Sequence, residues 1–119
     1  MDTRLFNSEL KLMNVLWKEG DIPAKQIIKI LAKEVGWKKS TTYTIIKRCI
    51  DKGLIENMGG DFVCHAKISK EDAQKYETAE LIKTLYDGSA DMLVASILGR
   101  EDLSPEEIER LKQIVGELK

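Results

Sequence analysis

The run GWKKSTTYTIIKRCIDKGLI, Gly36 to Ile55, places Thr42, Ile45, Ile46 and Cys49 on one stripe of a helix predicted from Ser40 to Lys52. Gly53 fits the left-handed residue that ends such a helix. With that stripe inward, the 3.6-residue period turns Ser40, Thr41, Tyr43, Thr44, Lys47 and Arg48 outward, flanked by Lys38, Lys39 and Lys52. The outward face carries hydroxyls and cations and no carboxylate before Asp51. Hydroxyls bond phosphates and base edges, Arg forks onto guanine or phosphate, and Lys neutralises phosphate charge, so these nine residues are the expected DNA-binding set. A solvated helix face is the bland alternative, but such faces mix Glu with Lys at i, i+4 spacing, and this one does not. Trp37, just before the helix, is expected to pack across its base.

On the amino-terminal side, Asn7 or Ser8 can cap a helix carrying Leu10, Met13, Leu16 and Trp17, with Leu12 and Val15 beside them and Gly20 as its end. A short Asp21 to Pro23 link leads to a second helix, with Ala24, Ile27, Ile28, Leu31 and Val35 on one face before Gly36. On the other side, Leu54 to Met58 and Phe62 to Lys67 are extended, and Gly59, Gly60 and Asp61 between them make a hairpin. Three short helices and a hairpin are the element order of a winged helix-turn-helix, whose third helix enters the major groove. The predicted fold is therefore mainly α with a small two-stranded β wing over residues 1–67.

Residues 68–119 read as helix throughout. Ser69 can cap a helix bearing Tyr76, Ala79, Ile82, Leu85 and Tyr86, and a short helix with Ala90, Leu93, Val94, Ile97 and Leu98 stops at Gly99. In the last helix Ser104 is the cap, Pro105 the first helical residue and Glu107 the capping-box partner, while Leu103 can staple onto Ile108. Charge changes sign along the chain: residues 1–67 hold 12 Lys or Arg against 8 Asp or Glu, and residues 68–119 hold 7 against 12. A basic first half points to a polyanion, and an acidic amphipathic second half suits protein contacts.

At 119 residues, 43% hydrophobic and 33% charged, the chain is one small domain or two lobes, too short for a catalytic barrel. No apolar run approaches the roughly 18 residues of a membrane span, and MDTRLFNSELK has no signal-peptide core, so a cytoplasmic protein without membrane insertion is expected. Cys49 and Cys64, fifteen positions apart, suggest reduced thiols. His65 adjoins Cys64 on a strand and points to the opposite face, a poor ligand set, so neither metal nor cofactor is expected. With no G-x-S-x-G, no Lys-Ser or Lys-Thr phosphate loop and no partner for the single His, no catalytic residue is assigned.

The Gly36–Ile55 run resembles the recognition segment of the penicillinase and methicillin-resistance repressor family. Glu9-Leu10, Leu16-Trp17, Gly36-Trp37, Thr41, Thr44, Arg48, Lys52-Gly53 and the EDLSPEEIERL stretch from Glu101 to Leu111 match it in order and spacing. The resemblance implies a homodimeric transcriptional repressor whose winged helix reads a dyad of TACA and TGTA half-sites in double-stranded DNA. It implies dimerisation through residues 68–119, here assigned to Tyr76, Ile82, Leu85, Leu93, Ile97, Ile108, Leu111, Val115 and Leu118. In members governed by a membrane sensor, induction cuts the dimerisation region at an Asn followed by an apolar residue. The aligned bond here is Ser96 to Ile97, without the Asn. Ser40 and Tyr43 stand where better-known members carry longer polar or basic side chains, and the paired Cys-x-Cys motifs of copper-responsive relatives are missing. A winged-helix adaptor for other proteins and a ligand-gated regulator are the alternative functions.

Overall fold

A computed structural model describes residues 5–117. The chain forms α1 (Asn7–Glu19), β1 (Ile22–Pro23), α2 (Ala24–Val35), α3 (Lys39–Asp51), β2 (Ile55–Asn57), β3 (Val63–Ala66), α4 (Lys70–Leu85), α5 (Ala90–Leu98) and α6 (Pro105–Glu117). It divides into two compact units, Met1–Thr78 and Ala79–Lys119.

The core of the first unit joins Leu12, Met13 and Leu16 of α1 to Ile27 and Leu31 of α2, Ile45, Ile46 and Cys49 of α3, and Leu54, Ile55 and Cys64 around the sheet. These are the stripes that helical periodicity anticipates, with two departures. Leu10 and Val35, placed by spacing on the inner faces, are largely exposed, at 40% and 39%. Each sits near one end of its helix. Trp17 is half-buried, and its indole N–H donates to the Ile68 carbonyl at 3.0 Å. The Leu5 N–H donates to Glu77 at 2.9 Å, and with buried Ala73 these contacts carry the first unit on through α4 to Thr78.

The wing has three strands rather than the expected two, antiparallel in the order β1-β3-β2. The supposed link at Ile22 and Pro23 pairs with Cys64 and Val63. Pro23 lacks an N–H and so belongs on an outer strand, where nothing further needs its donor. The ladder is continued by the Ala24 N–H, which donates to the Phe62 carbonyl at 2.9 Å. At the tip, Gly59 and Gly60 have φ of 86° and 58°, values that glycine adopts without Cβ strain. Phe62 also has positive φ, 59°, an uncommon state for a bulky side chain.

The start of α1 also differs from expectation. The cap is Phe6, in extended conformation, rather than Asn7 or Ser8, because Glu9 reaches back and accepts the Phe6 N–H at 2.9 Å. The other caps fall where the sequence places them: Ser69 accepts the Asp72 N–H at 3.0 Å, and Ser104 and Glu107 bond reciprocally at 3.1 and 3.3 Å. Ser89 caps α5 by accepting the Met92 N–H at 3.3 Å. Among the described residues, no helix is long and apolar enough to cross a membrane.

Candidate nucleic-acid interface

Helix α3 is seated by its inner stripe. Thr42, Ile46 and Cys49 are fully buried and Ile45 nearly so. The opposite face is the predicted one: Lys38, Lys39, Ser40, Thr41, Thr44, Lys47 and Arg48 are all exposed. Among the described residues, none of the four Lys and Arg side chains in that set makes an ion pair. The Thr44 hydroxyl donates to the Ser40 carbonyl at 2.9 Å, which leaves its oxygen lone pairs for an external donor.

Tyr43 and Lys52 are placed differently from these seven. Tyr43 is half-buried, its ring 6.3 Å from that of Phe62 and inclined at 46°, with the Lys39 ammonium 5.9 Å from the Tyr43 centroid. The left-handed backbone of Phe62 thus delivers a wing side chain to α3, so helix and wing share one surface. Lys52 turns to Glu9, with Nζ 2.8 Å from Oε1 and 4.9 Å from the Phe6 ring centroid. Sequence reasoning missed Glu9 and Phe62. Phe6 is not a capping residue type, so its spacing to Glu9 gives no capping-box signature, and nothing in periodicity links Glu9 to a lysine 43 positions away.

Both thiols are shielded from solvent. Cys49 and Cys64 are free and buried; burial, then the nearby Glu9 charge, pushes the Cys49 thiol up to about 12, and burial pushes Cys64 to about 11. His65 and Cys64 do face opposite ways, Cys64 into the core and the His65 ring outward, where its Nδ1 lies 2.8 Å from Asp21. Trp37 is half-buried against the core.

Of the residues assigned to dimerisation, Tyr76, Ile82, Leu93, Ile97 and Leu111 are half-buried and Leu85 and Ile108 exposed, Leu85 at 68%. Leu118 lies outside the described residues, as does the side chain of Val115. No residue of α5 is buried, and Met92, Val94 and Leu98 stand open on it. Ser96 is exposed and accepts a hydrogen bond from the Tyr86 hydroxyl at 3.3 Å.

Comparison with known proteins bears on this surface. A family model described as penicillinase repressor matches residues 5–117. The chain is 31% identical over 118 residues to the penicillinase repressor of Bacillus licheniformis, covering 98% of this chain and 92% of that one. It is 30% identical over 122 residues to the methicillin resistance regulatory protein MecI of Staphylococcus aureus strain N315, covering 98% of each. The solution structure of the DNA binding domain of the repressor BlaI superposes with a TM-score of 0.53 at 32% identity, over 59% of this chain and 88% of that one. The monomeric form of Bacillus licheniformis BlaI in complex with the blaP half-operator gives 0.51 at 32%, over 58% and 87%. The first unit therefore has the winged-helix fold.

Proposed function

Because the chain belongs to the penicillinase repressor family, and is a transcriptional repressor rather than an enzyme, we propose that it silences a promoter by seating α3 in the major groove of a dyad-symmetric operator, one copy per half-site. The observation that carries this is the α3 face itself, with Lys38, Lys39, Lys47 and Arg48 beside Ser40, Thr41 and Thr44 and no carboxylate partner among the described residues. Cations not neutralised by a carboxylate can exchange their counterions for phosphate contacts. Arg48 and Lys47 are the base-reading or phosphate-reading side chains, and Tyr43, backed by Phe62, adds an aromatic edge. The half-operator bound by Bacillus licheniformis BlaI supports a double-stranded DNA partner for this chain too.

Residues 1–67 make the operator contact and residues 68–119 pair two copies, through Tyr76, Ile82, Leu85, Leu93, Ile97, Ile108 and Leu111. The support is physical: α5 buries no residue, and water-exposed Leu85, Met92, Leu98 and Ile114 gain by being covered. Two linked half-site contacts bind far more tightly than one. The protein acts in the cytoplasm, where its promoter lies. Release follows if a protease answering a membrane sensor severs α5 between Ser96 and Ile97.

The test is fluorescence anisotropy with a duplex carrying a TACA and TGTA dyad, over about 50 to 200 mM salt. Affinity should fall steeply with salt. Replacing Arg48 or Lys47 with Ala should cost about 1 to 3 kcal/mol if the side chain reads a base, or mainly flatten the salt slope if it meets phosphate. Wild-type affinity and slope in both variants would overturn the placement of α3. Salt-insensitive binding would favour an adaptor of other proteins.

A further inference from the structure

Glu9 is the one charged side chain fully buried among the described residues, and only one of its oxygens is used. Oε1 accepts the Phe6 N–H at 2.9 Å and faces Lys52 Nζ at 2.8 Å, while Oε2 has no hydrogen-bond partner among the described residues. Lys52 is 16% exposed and lies over the Phe6 ring. A buried ion pair is poor support for stability, because desolvating both charges offsets most of their attraction, and an apolar pair of similar volume would serve as well. What such a pair does enforce is geometry: any arrangement that separates the two charges leaves a carboxylate alone in the core.

We propose that the Glu9–Lys52 pair is a positioning device for operator binding, fixing the rotation of α3 about its own axis by tying its carboxy-terminal end to the start of α1. Lys52 closes α3, with its backbone N–H on the Arg48 carbonyl at 3.0 Å. Turning α3 by one residue, about 100°, would carry Lys52 away from Glu9 and replace the Thr41, Thr44 and Arg48 row with its neighbours. The buried stripe of Thr42, Ile45, Ile46 and Cys49 sets which face of α3 points inward, and the ion pair adds a directional constraint that apolar contacts lack. Glu9 supplies that constraint because its counter-charge, Lys52, must sit beside it. The carboxylate also reaches the inner stripe of α3, raising the Cys49 thiol electrostatically. Lys52 therefore acts through α3 and not as a phosphate contact. This rests on α3 being the DNA-facing helix.

A salt titration separates the two roles. In the full-length chain bound to the TACA and TGTA duplex, Lys52→Met should weaken binding about tenfold, the scale of one misplaced base contact. The slope of log affinity against log salt should stay that of the wild type. The double variant Glu9→Gln/Lys52→Met leaves no stranded carboxylate, its amide oxygen can still accept the Phe6 N–H, and because the tie itself is gone it should stay about as weak as Lys52→Met at the wild-type slope. If Lys52→Met does not fold, the double variant alone carries the test. A slope shallower by about 0.9 in either variant would make Lys52 a phosphate contact and overturn the proposal. Wild-type affinity in Lys52→Met, or recovery of wild-type affinity in the double variant, would also overturn it, since the second would trace the defect to a stranded carboxylate rather than to a lost tie. Arg48→Ala in the same titration guards the premise. If it changes neither affinity nor slope, the reading of α3 has failed, whereas a change there with a shallower Lys52→Met slope sinks only this inference.

Discussion

Phe62 is a residue on which backbone and side chain disagree, and replacing it by Ala and by Gly separates the two contributions. Its φ of 59° lies in the left-handed region, where an L side chain costs about 1 kcal/mol more than glycine. Its ring rests against Tyr43 with centroids 6.3 Å apart, an aromatic pair worth about 0.5 to 1.5 kcal/mol beyond the area it buries. Covering about half of a Phe side chain adds roughly 1 kcal/mol. Phe62→Ala keeps the strain and loses the ring, so urea unfolding should register a loss of about 2 kcal/mol. Phe62→Gly loses the ring and relieves the strain, so its loss should be smaller by about 1 kcal/mol. Both variants leave Tyr43 without its backing, and operator affinity should fall by a similar factor of about three in each, since the contact with DNA sees the missing ring and not the relaxed backbone. If Phe62→Gly is no more stable than Phe62→Ala, φ at this position carries no strain. If the two differ in operator affinity as much as in stability, the wing acts on binding through its backbone and the Tyr43 argument is wrong.

Other outcomes are open to measurement. Removing residues 103–119 should turn a dimer into a monomer in sedimentation and sharply weaken operator binding; a full-length chain that is monomeric at about 10 to 50 µM would refute subunit pairing through these helices. In induced cells, mass spectrometry should find a fragment ending at Ser96, and an intact chain together with a free operator would exclude proteolytic release. Cys49 and Cys64 should resist thiol reagents near neutral pH until the chain unfolds. Their raised thiol values mean that folding favours the neutral form: this contribution is complete below the ordinary thiol value of 9.0 and is lost as pH rises from there towards about 12 and 11, so stability should fall over that alkaline range. A melting temperature that is flat across it would contradict the burial of both groups.

The α3 stripe could be read from sequence because burial there repeats with the helix period, and Thr42, Ile45, Ile46 and Cys49 obey it without exception. The outward face followed by subtraction. The caps at Ser69 and Ser104 were equally readable, since a cap is a local contact three residues long. Two features were beyond such reasoning for physical reasons. Strand β1 is two residues, one of them proline, and owes its existence to the neighbouring β3 rather than to any propensity of its own. Lys52 reads as one more cation on a basic helix, because a lone charged residue announces nothing about a carboxylate 43 positions earlier. Glu9 likewise reads as an ordinary first-turn acid, and only the fold brings its capping role and its ion pair onto one oxygen.

A net charge of -1 would make the whole molecule indifferent to a polyanion if charge acted as a sum. It does not, because at physiological ionic strength a charge is felt over about 8 Å, less than the span of a small domain. On the proposed reading, what DNA meets is the local field of the α3 face, where Lys38, Lys39, Lys47 and Arg48 make no ion pair among the described residues. The acidic second half, screened over the same range, discourages a second, unproductive mode in which its helices lie against the phosphates. If two copies pair as proposed, its exposed Leu85, Met92 and Ile114 are apolar surface that the second copy can cover. Under the proposed pairing, the same segment that makes binding bivalent is the one least able to stand alone, so any event that loosens it lowers operator occupancy while the groove-facing residues stay untouched.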